Sequence, residues 1–295
     1  MAEPGTIEEA IAAATGEPFR AQSTRPVSGG CINDAFVLEG KDGRRYFVKR
    51  NSADKLAMFE AEQAGLREML EADAIRVPAP LCCGSDDSEA WLVLEYIEFG
   101  AANAATSELL GAQLAALHRR TREFFGLDRD NTIGATPQIN TPDDDWPRFF
   151  ATQRLGYQLD LAERNGAPAR LIDAGRHLQQ ELPALFEGYR PAPSLLHGDL
   201  WGGNWAADEG GRPVLFDPAT YYGDREADLA MTELFGGFDE RFYRAYEDAW
   251  AVDAGYQTRK TLYNLYHVLN HFNLFGGGYA GQAQRMVAGL AAEIS

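Results

Sequence analysis

Three oxygen-bearing side chains fall close together in the second half of the chain. In LLHGDLWGGNW, Asp199 precedes Asn204 by five residues, and the apolar run VLF then delivers Asp217. Phosphoryl transfer from ATP needs a carboxylate beside the accepting hydroxyl and oxygen ligands for magnesium. The spacing matches that between the aspartate and asparagine of a kinase catalytic loop, and Asp217 ends a strand where a metal-binding aspartate belongs. The competing reading makes Asp199 and Asn204 simple turn caps. His197 reads as a packed histidine that organises the loop, not as a proton carrier.

A cation and an acid complete the set. Lys49 ends the strand RRYFVK, within reach of nucleotide phosphates lying under the SGGC loop that contains Gly29 and Gly30. In the helix that follows, Phe59, Glu62 and Leu66 recur at spacings of three and four, so Glu62 interrupts an apolar stripe while Glu60 points away from it. A carboxylate on the buried face needs a partner, and a Lys49–Glu62 ion pair accounts for both residues. The SGGC loop departs from the G-x-G-x-x-G pattern but reads as the lid over the phosphates. The strand WLVLEYIE brings Glu95, Tyr96 and Ile97 to where a hinge would present backbone groups to adenine. Cys31, in the glycine loop near Lys49, sits where electropositive surroundings favour thiolate. It is expected to react faster than Cys82 or Cys83, and to be able to link two chains into a homodimer under oxidising conditions.

These residues require a particular scaffold. Residues 24–49 read as a small antiparallel sheet with a turn at Asp42-Gly43, residues 54–71 as a helix, and 91–94 as a strand after a CCGSDDSEA loop. Beyond Tyr96 the pattern is helical: SELLGAQLAALHRR, WPRFFATQRLGYQLDLAER and ARLIDAGRHLQQELPALFEGY. Residues 126–147 read as a loop whose three aspartates form a solvated surface. Two short strands follow at NWAAD and RPVLFD, then helices interrupted at FGG, at Asp253 to Gly255 and at FGGGY. The expected fold is α+β and two-lobed, with a nucleotide-binding lobe over residues 1–97 and a mainly helical lobe carrying the catalytic loop over 98–295.

Composition narrows the partners. With 27 Lys+Arg against 44 Asp+Glu the net charge is −17, a field that repels phosphate backbones and anionic headgroups, so neither nucleic acid nor membrane is an expected partner. Three cysteines form no disulfide framework and no CxxC metal pattern. The acidic start is unlike a signal peptide, and no apolar run approaches the roughly 20 residues of a membrane span. The expectation is a soluble, cytoplasmic protein.

The segments GGCIN, FVKRN, MFEAEQAGL, VLEYIE, LLHGDLWGGNW, DPATYYGDREADLAM and LYHVLNHFNLFGGGY together resemble the fructosamine kinase family, relatives of the aminoglycoside and choline kinases with a protein-kinase-like fold. The resemblance runs from about Thr24 to the last helix. It implies Asp199 as catalytic base, Asn204 and Asp217 as Mg2+ ligands, Glu95, Tyr96 and Ile97 as the adenine hinge, and Lys49 with Glu62 as the phosphate-positioning pair. Asp228 would tie down the catalytic-loop backbone, and Trp201 would wall the sugar site, with Asn270 and His271 as further candidate walls. The chain has Gly202 where many relatives carry serine. The implied activity is ATP-dependent phosphorylation of the 3-hydroxyl of ketoamines, as small molecules or on glycated proteins, a deglycation step. An aminoglycoside- or choline-type kinase and a non-catalytic binding module remain the alternatives.

Overall fold

The computed structural model describes residues 5–27 and 32–294. Helix α1 (Ile7–Thr15) is followed by β1 (Ala21–Pro26), β2 (Asp34–Gly40), β3 (Arg45–Ser52), α2 (Leu56–Glu71), β4 (Pro80–Ser85) and β5 (Glu89–Glu95). The five strands form one antiparallel sheet in the order β1-β2-β3-β5-β4. Alternation along the strands sends apolar side chains to both faces. Leu38, Val48, Trp91 and Val93 meet Ile11 and Phe19 on one side. Leu92 and Leu94 join Phe59, Leu66 and Met69 of α2 on the other. Cys82 and Cys83, expected in a loop, lie in β4 and pair with Val93 and Leu92. The small apolar thiols suit an edge strand, and the turn begins only at the acidic residues after Ser85.

The rest of the chain is largely helical. It runs through β6 (Phe99–Gly100), α3 (Ala104–His118), β7 (Asn131–Ile133), β8 (Thr136–Gln138), α4 (Trp146–Phe149), α5 (Tyr157–Arg164), α6 (Ala169–Glu181), β9 (Ser194–Leu196), β10 (Trp205–Asp208), β11 (Pro213–Leu215), β12 (Tyr221–Gly223), α7 (Glu226–Leu234), α8 (Glu240–Ala249), α9 (Tyr256–Phe275) and α10 (Tyr279–Ile294). Helix α9 runs through the core, with Leu262, Leu265, Val268 and Leu269 buried. Arg76 is one of the side chains that brace the two regions, reaching Glu95 at the end of β5 and Asp208 at the end of β10 at 2.9 and 2.5 Å.

Three segments differ from expectation. Residues 126–147 contain the β7–β8 hairpin, because buried amides stitch it down where apolar periodicity is missing. Asn131 donates to Thr220 O and accepts from Gln138 and Asn140. The aspartates there are structural: Asp145 caps α4 by accepting from Arg148 N, and Asp143 pairs with the Arg148 guanidinium. The helix expected over residues 146–164 changes to a π-helical stretch at Phe150–Gly156 between α4 and α5. There Arg154 is fully buried, donating to Ile139 O and Asn140 Oδ1 and lying over the rings of Phe149 and Tyr221. Helix α6 likewise tightens into a 3-10 turn at Leu182–Phe186, led by Pro183.

Candidate active site

The loop after β9 and the strand end after β11 are sewn together by the backbone. Ala219 N–H donates to His197 O, Phe216 N–H donates to Asn204 O, and His197 Nε2 meets Phe216 O at 2.9 Å. With that proton on Nε2, His197 Nδ1 accepts from Asp199 N–H. Burial lowers the imidazole pKa, so His197 stays neutral and acts as a buried clip. Gly198 has φ +83, and a Cβ there would stand 2.1 Å from Ala219 O, so the residue before Asp199 must be glycine for the two segments to touch. Asp228, at the start of α7, accepts from the backbone N–H groups of His197 and Gly198 at 2.7 and 2.8 Å and meets His118 Nε2 at 3.1 Å. The loop backbone is therefore anchored through a carboxylate and a histidine, the second of which sequence reasoning missed.

On this frame the polar side chains converge. Asn204 donates Nδ2 to Asp199 O and Oδ2 at 2.8 and 3.2 Å, which leaves its Oδ1 as the amide atom available to another ligand. Asp217 has φ +58, a left-handed conformation that aspartate tolerates better than most side chains. Lys49 Nζ lies 2.5 Å from Glu62 and 2.7 Å from Asp217. Burial pulls the lysine pKa down, but Asp217 and Glu62 outweigh it and hold the ammonium protonated. Burial first, and then the charge of Asp217, push Asp199 up to about 7. One cation thus stands among three carboxylates, and the site carries surplus negative charge for a divalent cation to neutralise. Glu60, two residues before Glu62, is exposed.

These groups line a cleft of about 1070 Å³. Glu95, Tyr96 and Ile97 border it on one side. The Glu95 carboxylate is engaged by Arg76 and Ala79 N–H, so any part it plays toward a nucleotide falls to its backbone. Trp201, Asn270 and His271 border the other side. The Asn270 amide is engaged internally, accepting from Gln158 and donating to Ile133 O. His271 Nδ1 bonds to His267 O, which turns Nε2 outward. Gly29, Gly30 and Cys31 lie outside the described residues. Burial pushes Cys82 up to about 12 and raises Cys83, so both thiols stay protonated.

The sequence matches the fructosamine kinase family model over residues 4–293. The chain belongs to that family. It is 50% identical to the "probable ketoamine kinase" of Synechocystis over 96% of this chain and 95% of that one. It is 45% identical to the chloroplastic protein-ribulosamine 3-kinase of Arabidopsis thaliana over 88% and 80%. A Haemophilus somnus crystal structure described as a "putative fructosamine-3-kinase" superposes with a TM-score of 0.88 at 27% identity, covering 97% of this chain and 96% of that one.

In this fructosamine kinase family member, the glycine at position 202 gains a physical reason. A Cβ on Gly202 would stand 2.9 Å from Gly236 O and 3.0 Å from Gly237 Cα. The backbone after α7 occupies the space a serine would need. This contact also carries Phe235 onto the cleft wall beside Trp201, with ring centroids 6.5 Å apart. The FGG break was visible in the sequence, but its position against the loop after β9 was not.

Proposed function

We propose that this fructosamine kinase family member is a ketoamine 3-kinase, a phosphotransferase that moves the γ-phosphate of ATP to the 3-hydroxyl of a sugar-derived ketoamine. The observation that carries the reading is the convergence of Asp199, Asn204, Asp217, Lys49 and Glu62 in one cleft of a family member. Asp199 Oδ accepts the proton of the 3-hydroxyl as its oxygen attacks the γ-phosphorus, and ADP leaves. Asn204 fixes the carboxylate. Lys49, aligned by Glu62, steadies the phosphates, and the backbone of Glu95, Tyr96 and Ile97 meets adenine. Residues 1–97 form the nucleotide lobe in this reading.

Magnesium fits the donors present. Asp217 and the free Oδ1 of Asn204 are hard oxygen ligands, and this ion binds through one or two protein groups together with phosphates and water. When bound, it neutralises charge developing on the phosphates. Trp201 and His271 wall the acceptor. Once phosphorylated, the ketoamine enolises toward carbon 1 and loses phosphate from carbon 3. The resulting imine takes up water and releases the amine, a deglycation. Free Cys82 and Cys83 suit a reducing compartment, and we place the protein in the cytoplasm.

The test is incubation of lysine-linked ribulose and fructose with ATP and magnesium, followed by phosphorus NMR and amine release. A ketoamine 3-phosphate is expected, with little turnover of kanamycin or choline. A phosphorylated aminoglycoside with no ketoamine phosphate would reverse the assignment.

A further inference from the structure

Two glycine breaks in the sequence are unused by phosphoryl transfer, and each carries an aromatic side chain to the same wall. Phe235 stands before Gly236-Gly237. Phe275 and Tyr279 flank Gly276 to Gly278 between α9 and α10. From Trp201 the rings continue outward: Phe235 lies 5.0 Å from His271, which lies 5.3 Å from Tyr279 and 5.7 Å from Phe275. Trp201, Phe235 and Phe275 are 40, 43 and 59% exposed, large apolar surface left open at the mouth of one cleft. The carboxylates bordering that cleft are Glu62 on α2, Glu95 and Glu98 at and just past the end of β5, and Asp199 and Asp217, and none belongs to this wall.

This inference rests on the ketoamine reading. With the carbon-3 hydroxyl at Asp199, only carbons 2 and 1 separate it from the amine nitrogen, and Trp201 borders the same cleft two residues further along the loop. That nitrogen is a protonated secondary amine, and aromatic faces attract such a cation and the methylenes attached to it. The wall continues for several rings past Trp201, farther than a one-carbon substituent reaches. Its outermost ring, Phe275, is its most exposed, so a polypeptide could remain in solvent. We propose that Trp201, Phe235, His271, Phe275 and Tyr279 form a subsite for the amine half of the substrate, shaped for the four-carbon stem of a lysine side chain.

The experiment compares ribulose linked to methylamine, to butylamine and to Nα-acetyl-lysine amide, in the wild type and in Phe235→Ala and Phe275→Ala. In the wild type, KM is expected to fall about tenfold from methylamine to the lysine compound, and each variant is expected to shrink that ratio about threefold, by loss of apolar contact. A wild-type KM independent of the amine, or the same ratio in both variants, overturns the subsite while leaving the kinase standing. Absence of phosphorylation on every compound overturns the kinase reading and this inference together. Should Phe235→Ala unfold, as judged by its thermal transition, Phe275→Ala decides alone, because its ring is largely in solvent.

Discussion

Gly202 and Gly237 pack backbone to backbone, with a Cβ built on Gly202 falling 3.0 Å from the Gly237 Cα. The loop after β9 is therefore set against the segment that carries Phe235. Gly202→Ser must push these segments apart. Overpacking of this kind costs about 1–3 kcal/mol, so the thermal midpoint is expected to drop and ketoamine KM to rise more than ATP KM. Wild-type stability and kinetics in this variant would show that the contact is not needed.

Asp199→Asn removes the proposed proton acceptor while keeping a side chain of the same shape. Turnover is expected to fall by about 10² or more with nucleotide affinity retained, as for loss of a positioned base. Steady-state kinetics with nucleotide titration measure both, and near-normal turnover would take Asp199 out of the mechanism.

Glu62 touches Lys49, and Glu60 is exposed on the same helix. Glu62→Gln is expected to lower kcat by at least about tenfold, since a neutral amide orients an ammonium less firmly than a carboxylate does. Glu60→Gln is expected to be silent. Equal effects on kcat would refute the helical-face reasoning that singled out Glu62.

Arg154 is fully buried and stacked between aromatic rings, and its guanidinium ties the π-helical stretch to residues 139 and 140, just past the β7–β8 hairpin. Lysine is a poor replacement, because an ammonium lacks the planar fork that makes both bonds. Arg154→Lys is expected to destabilise the protein by about 1–3 kcal/mol through lost hydrogen bonds in a buried site. Through the hairpin, which borders the cleft at Asn131 to Gly134, it is also expected to raise ketoamine KM with ATP KM unchanged. Chemical denaturation and paired KM measurements check both statements.

Asp224 accepts from Tyr263 and Tyr189 at 2.5 and 3.0 Å, and burial, then the charge of Glu226, push its carboxyl up to about 7 from an ordinary 3.8. Between those values the folded protein holds a proton that the unfolded chain has released. Stability from this group is therefore full below pH 3.8 and is lost as pH rises through 7. Asp224→Asn is expected to flatten the pH dependence of the thermal midpoint between pH 5 and about 7.5. An unchanged slope would show that Asp224 is ionised throughout.

Much of the candidate site's geometry was legible because its residues follow local rules. Glu62 betrayed itself by interrupting a helical stripe, and Asp199, Asn204 and Asp217 by spacing and by a strand end. The α+β plan followed from the change from alternation to helical periodicity after Tyr96. Features fixed by long-range contact were not legible. Strands β9 and β12 are three buried residues each, too short for alternation to register, and they pair with one another over 25 or more positions of sequence. The β7–β8 hairpin is held by amides of Asn131, Gln138 and Asn140, which in sequence look like turn residues. His118 faces Asp228 across 110 positions, a distance no local pattern spans.

The π-helical stretch at Phe150–Gly156 makes the chain length locally critical. A π turn is one residue wider than an α turn, its bonds running i→i+5, so deleting one residue there would let the stretch close into α-helix and re-aim the side chains inside it, Arg154 among them. Arg154 would turn from Ile139 and Asn140, and the β7–β8 hairpin at the cleft would lose its tie. A single-codon deletion within Phe150–Gly156 is expected to abolish activity, although no proposed catalytic residue lies there.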